Sequence, residues 1–256
     1  MSTMMNFFLF FAGFTDLTIQ FFRDTFKGRF YLRLLLIQIY SVGIKSAPLV
    51  ILTAVSTGSV MALQFGLGLE KFGGKLYVPK LVGITVLREM GPVFTSLMFA
   101  ARVGAGMASE IGSMKVTQQI DALRALGTSP IKQIVVPRVI ACFIALPLLC
   151  IVANIVSNGG ALLVGATELN IDSDFYFLKL TTGLDLYDFF SGFLKSFFFA
   201  FFISISSCYF GLNVKTGTQE VGIATTKAVV TSSVFVLVGD YVLTKAFWMV
   251  EKWMLS

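Results

Sequence analysis

Long apolar runs separated by short polar ones set the pattern of this chain. Residues 46 to 69 hold no charged side chain over 24 positions, enough for a helix to cross a bilayer with some tilt. Pro48 stands near the start of that run, where a helix tolerates it, and the turn-rich segment Glu70-Lys71-Phe72-Gly73-Gly74-Lys75 follows. The pattern predicts a second span from about Leu81 to Ala108, although it contains Arg88, Glu89 and Arg102. Its latter half offers two faces of small residues four apart, Ala101/Ala105/Ser109 and Gly104/Ala108/Gly112, a spacing that lets helix backbones approach within a membrane. No charge lies between Arg138 and Glu168, which gives a third span. A fourth runs from about Tyr187 to Leu212 and encloses Lys195; the fifth runs from about Ala228 to Met249 and encloses Asp240 and Lys245.

The intervening segments differ in character. Before the first span, Phe22, Phe26, Phe30 and Leu34 recur every four residues beside Arg23, Lys27 and Arg33. An apolar stripe flanked by a basic one suits a helix lying in the headgroup plane; the same pattern also suits an amphipathic helix packed on protein. The N-terminus lacks a basic n-region and a cleavage site, so it is read as retained. Residues 109 to 134 are polar for this chain and accommodate two short helical stretches with a break at Gly127-Thr128-Ser129-Pro130. Residues 166 to 188 are expected to form an acidic loop, with Glu168, Asp172, Asp174, Asp185 and Asp188 against Lys179. A further loop is expected over 213–227.

Composition agrees with a lipid solvent. Hydrophobic residues make up 56% and charged ones 13%, whereas soluble domains have about 45–50% and about 25%. The fold class expected is an all-α integral membrane protein, with residues 1–256 as a single domain: an N-terminal region over 1–45 and a five-helix region over 46–250. No GxxxxGK[ST] motif occurs, so any ATP and Mg²⁺ would be bound by another chain, and no cofactor is expected in this one. Histidine is absent, which removes His-based triads and most zinc sites; neither catalytic nor metal-binding residues are assigned. Cys142, Cys150 and Cys208 sit in apolar runs and behave as small hydrophobes. The net charge of +6 falls beside apolar runs, as cytoplasmic loops require, and does not indicate nucleic acid.

Charges inside the spans are the candidate chemistry, because each costs about 2.5–3.5 kcal/mol to insert. At 1.5 Å per residue, Arg88 and Glu89, Lys195, and Asp240 all lie roughly 11–15 Å below the outer ends of their helices. Three helices thus place charges at about one level, where Glu89 and Lys195 can neutralise each other or engage a polar headgroup. Alternatively, Arg88 and Lys195 snorkel outward and the acids serve packing. Arg102, near the inner end, is expected to reach the cytoplasmic interface. The distribution of Lys and Arg orients the chain: Arg23, Lys27, Arg29, Arg33, Lys45, Lys115, Arg124, Lys132, Arg138, Lys215 and Lys227 fall inside, and Lys71, Lys75, Lys80, Lys179 and Lys252 outside. The N-terminus is then cytoplasmic and the C-terminus periplasmic.

Residues 87 to 141 contain LRE-x-GPV, AR-x-G-x-x-x-x-EIG-x-M and QIDAL-x-x-x-x-x-x-P in order. In motif order and spacing this stretch resembles the MlaE (YrbE) family of ABC permeases. Weaker likeness extends over about residues 25 to 247, through QIYSVG at 38–43, IDSDFY at 171–176, LKS at 194–196 and the segment 222–244. The resemblance implies an interfacial elbow helix, five transmembrane helices and a cytoplasmic coupling helix, here Glu110 to Leu126. It further implies a homodimer bound to two ATPase subunits and an MCE-type substrate-binding protein. Such systems move phospholipids or related lipids between the inner membrane and the outer envelope. It places Glu89 and Lys195 near the lipid pathway, with Arg88 and Asp240 at the same depth. In the coupling segment, Glu110, Lys115, Gln119 and Asp121 would offer polar handles, and Ile111, Met114, Ile120 and Leu123 would fill a groove in the ATPase.

Two other classes remain to be weighed. An ion- or proton-coupled carrier would use Glu89, Lys195 and Asp240 as a relay. A lipid-modifying enzyme should show convergent nucleophile and base residues or metal ligands, and without histidine only Glu89 and Asp240 could serve.

Overall fold

The computed structural model describes residues 2–26, 32–215 and 217–255. Helices dominate them: α1 (Ser2–Phe26), α2 (Leu32–Glu70), α3 (Lys75–Val116), α4 (Gln119–Ala125), α5 (Ile131–Thr167), α6 (Ser173–Gly183), α7 (Leu186–Leu212) and α8 (Thr218–Leu255). Five of these, α2, α3, α5, α7 and α8, are long and apolar enough to cross a membrane. The expected all-α, five-span fold is therefore the one observed. The helices run past the ends of the apolar runs. α3 reaches from Lys75 to Val116, continuing past Pro92 through a locally widened turn, and polar ends cost nothing once they leave hydrocarbon.

Two compact units are formed, one from Met1–Lys45, Phe99–Ala145 and Phe199–Val236, the other from Ser46–Met98, Leu146–Phe198 and Leu237–Ser256. In the first unit α1 buries Phe14, Leu17 and Phe21. Phe10 lies 5.2 Å from the Tyr209 ring and 5.5 Å from Phe210, and Phe14 lies 5.7 Å from Phe235. The packed face of α1 is thus 10/14/17/21, the spacing of one helical stripe. Phe22, on the stripe expected from sequence, stays half exposed. Lys27, Arg29 and Phe30, and the side chain of Phe26, lie outside the described residues. Of the two small-residue faces of α3, Gly104/Ala108/Gly112 is buried whereas Ala101 is exposed. A Cβ on Gly211 would come within 3.0 Å of the Ala108 carbonyl, so only glycine permits that approach.

The second unit is held by a closer approach still. Val50, Ala54, Gly58, Ala62 and Gly66 form one buried stripe along α2. A Cβ on Gly58 would lie 1.8 Å from the Ser157 carbonyl oxygen of α5, and Ser59 donates to the Gly160 carbonyl at 3.3 Å. Such backbone contact replaces hydrophobic drive where the solvent is itself apolar. The acidic loop expected over 166–188 contains helix α6. Asp172 caps it by accepting from the Phe175 amide at 2.9 Å, and Tyr176 is fully buried on the edge of Gly165. Burial pushes the Tyr176 phenol up to about 12.

Three single π-helical turns interrupt the spans, at Val86–Met90, Ala100–Gly104 and Ile131–Val135. The first and third each end two residues before a proline, Pro92 and Pro137. Proline has no N–H to return to the preceding turn, so the helix widens and frees carbonyls there.

Candidate functional site

The first of those widened turns builds the site. The Gly91 amide bonds back to the Val86 carbonyl. Pro92 supplies no donor, so the Arg88 carbonyl, its usual i−4 partner, is left open. Lys195 of α7 fills that vacancy, donating from Nζ to the Arg88 carbonyl at 2.9 Å. One turn back on α7, Gly192 makes room for the widened strand of backbone: a Cβ there would stand 1.9 Å from the Leu87 carbonyl oxygen.

The same Nζ donates to Glu89 Oε2 at 2.7 Å, to Asp240 Oδ1 at 2.9 Å and to Thr244 Oγ1 at 2.7 Å. An ammonium has three protons, so four acceptors within this range share them. Thr244 in turn donates to Glu89 at 3.1 Å. Lys195 is 1% exposed. It does not snorkel; its charge is balanced where it stands by two carboxylates from two other helices. Residues 89, 195 and 240, at matching depth by residue counting, are therefore in direct contact.

Arg88 belongs to the neighbouring cluster through its side chain. Its Nε donates to Asp188, and Nη1 and Nη2 face Glu251 at 3.3 and 3.4 Å. Asp188 is buried and also accepts from the Asp185 amide at 2.9 Å. The Tyr187 ring lies 5.4 Å from the guanidinium, and its hydroxyl donates to the Phe247 carbonyl at 2.5 Å. Asp188, Glu251, Tyr187 and Thr244 were missed as site residues. Asp188 reads as part of an acidic loop, and Glu251 lies beyond the last apolar run; only the fold brings them beside Arg88.

A cavity of about 360 Å³ opens on both clusters, lined by Arg88, Glu89, Lys195, Thr244, Lys245 and Glu251 among others, with Tyr241, Phe247 and Trp248 on its apolar side. Three cations and two carboxylates along the lining, with aromatic side chains and fixed hydrogen-bond donors, make a site suited to an amphiphile with a charged head and an apolar body. Among the described residues, no group of three or more His, Cys, Asp or Glu is placed to hold a metal ion.

The polar segment after the second span divides in two. The helix expected over Glu110 to Leu126 is broken at Thr117 and Gln118, where Gln118 takes φ 60°; its first half continues α3 and its second is α4. Ile111 and Ile120 are fully buried. Both pack inside this chain rather than in a partner's groove; Ile111 faces Gly211. Met114, Gln119, Leu123 and Leu126 instead line an open cavity of about 480 Å³ with Gln133 and Arg138, and Leu126 is 78% exposed. Asp121 pairs with Lys115 at 3.0 Å and with Arg124 at 3.3 Å. Glu110 pairs with the buried Arg138 at 3.1 Å.

Comparison with known proteins places these features in context. Residues 35–246 match the family model described as Permease MlaE. A probable ABC transporter permease protein of Rickettsia typhi is 42% identical over 86% of this chain and 85% of its own length. The intermembrane phospholipid transport system permease protein MlaE of Haemophilus influenzae is 32% identical over 82% of this chain and 81% of its own. The chloroplastic protein TRIGALACTOSYLDIACYLGLYCEROL 1 of Arabidopsis thaliana is 33% identical over 86% of this chain and 63% of its own.

Proposed function

The chain belongs to the MlaE permease family of ABC transporters, and from that premise we propose that it moves phospholipids or related lipids between the inner membrane and the outer envelope while a separate subunit hydrolyses ATP. The observation that carries this reading is the desolvated Lys195–Glu89–Asp240 cluster at the wall of an aromatic-lined cavity. Unpaired charge in a span is expensive. A cluster whose members can each trade an internal partner for a headgroup group makes polar passage through hydrocarbon affordable. Arg88, Glu89, Lys195 and Asp240 are the proposed headgroup contacts. The relative named for phospholipid transport supports lipid as the class of cargo.

The force comes from outside the chain. The ATPase subunit, which binds ATP and Mg²⁺, docks on the segment 110–126. Exposed Gln119 and Asp121 and half-buried Met114, Lys115 and Leu123 offer the contacts, and Glu110 links the segment to Arg138 at the head of α5. Ile111 serves by stiffening the end of α3. The chain is read as a single permease domain over residues 1–256. It works as a homodimer with an MCE-type partner, its N-terminus cytoplasmic and its C-terminus periplasmic, in agreement with the Lys and Arg distribution.

Reconstitution tests this directly. The full complex in proteoliposomes is expected to transfer labelled phospholipid only with ATP, and Lys195→Met is expected to stop transfer at unchanged complex abundance. Transfer that survives loss of the ATPase and follows a pH gradient would instead identify an ion-coupled carrier working through Glu89, Lys195 and Asp240.

A further inference from the structure

Glu251 lies outside the residues matched to the family, which end at 246. It is nevertheless one of two carboxylates on Arg88, and the two hold it differently. Asp188 is 1% exposed, fixed by the Asp185 amide, and takes Nε. Glu251 takes both terminal nitrogens, Nη1 and Nη2, at 3.3 and 3.4 Å with its side chain 31% exposed. Charge-assisted guanidinium–carboxylate bonds normally close to about 2.7–2.9 Å. The guanidinium fork is therefore aimed into the cavity by one tight carboxylate and covered by one loose one. Glu251 sits in the last turns of α8, beside Trp248 at the same cavity.

We propose that Glu251 is a placeholder anion: it occupies the Arg88 fork when the cavity is empty and is displaced by the phosphate of an entering lipid. This rests on the lipid-permease reading and adds to it the headgroup chemistry and a competing residue. The exchange conserves charge. A phosphodiester carries one negative charge and two unesterified oxygens that match the fork in bidentate geometry. When it takes the place of one carboxylate, Arg88 is never left uncompensated, and Glu251, released near the helix end, can reach water. An uncharged lipid brings no anion to replace Glu251, so it has no means of opening the fork. Discrimination between phosphate-bearing and uncharged lipids then follows from the cost of leaving the two terminal nitrogens of the fork without an anion, since Asp188 holds only Nε. It does not depend on the shape of the apolar wall.

The test uses the full-length permease in nanodiscs, titrated with short-chain phosphatidylglycerol and, separately, with the diacylglycerol of the same chain length. If Glu251 covers the fork about nine-tenths of the time, removing its charge raises phosphate-lipid affinity about tenfold. Glu251→Gln is expected to bind phosphatidylglycerol about tenfold more tightly than the wild type, with diacylglycerol binding unchanged. Glu251→Asp keeps the charge and is expected to stay near the wild type. Equal tightening for both lipids would overturn the proposal, making Glu251 a steric lid. So would unchanged or weaker phosphatidylglycerol binding in a Glu251→Gln protein whose melting temperature matches the wild type. If the wild type binds neither lipid, the lipid-permease reading itself fails; if it binds phosphatidylglycerol and Glu251→Gln does not differ, only the placeholder fails.

Discussion

Replacing Lys195 by methionine isolates what the buried cluster does for the fold. The substitution keeps an unbranched side chain one atom shorter and removes the charge together with its hydrogen-bond donors. Glu89 and Asp240, which both bond to Nζ within 2.9 Å, are then left facing each other with no cation between them. Their side chains are 29% and 20% exposed, so water relieves little of the repulsion. Breaking a buried pair by removing one partner costs about 3–5 kcal/mol. The Arg88 carbonyl also loses its donor, a further cost of about 1–3 kcal/mol. Glu89→Gln behaves otherwise. Lys195 keeps Asp240, Thr244 and the carbonyl, and the amide oxygen still accepts, so the loss is about 1 kcal/mol. At about 2–4 °C per kcal/mol for chains of this size, Lys195→Met lowers the melting temperature by on the order of 10 °C and Glu89→Gln by a few degrees. Fluorescence-detected thermal unfolding of the detergent-solubilised protein measures both. Equal melting temperatures for the two variants would refute the central position of Lys195. In the Glu89→Gln/Lys195→Met double variant a single carboxylate remains, so it recovers part of the loss.

Other expectations follow from single contacts. Gly192→Ala puts a Cβ 1.9 Å from the Leu87 carbonyl oxygen, so the π turn shifts and lipid transfer falls, whereas Gly68→Ala, with open space around it, leaves transfer unchanged; parallel transport assays compare them. Ile111→Ala empties a fully buried site and costs about 2–5 kcal/mol. Leu126→Asp, at a residue 78% exposed, changes stability by under about 0.5 kcal/mol but lowers lipid-stimulated ATP hydrolysis by the assembled complex. For topology, Ala125→Cys is expected to react with an impermeant maleimide only from the cytoplasmic side and Leu178→Cys only from the outer side. Reaction of residue 125 from outside would separate segment 110–126 from any ATPase.

Apolar run length was enough to locate the spans, since a chain in lipid must satisfy its backbone within each helix and the solvent dictates the period. Charge placement was legible for the same reason: Arg88, Glu89, Lys195 and Asp240 stand out because their surroundings are apolar. Helix α6 was obscured by its acidic residues, although Asp172 and the three residues after it carry a cap signal. Which charges pair was not legible. Asp188 and Glu251 meet Arg88 from 100 and 163 residues away. The open Arg88 carbonyl arises from Pro92, but its donor comes from another helix. Ile111 and Met114 look equivalent along the chain, yet one is buried and the other lines a cavity. Local solvent preference is written residue by residue and can be read in one dimension. The partner of a buried charge depends on which helices touch and at what rotation, and packing alone sets that.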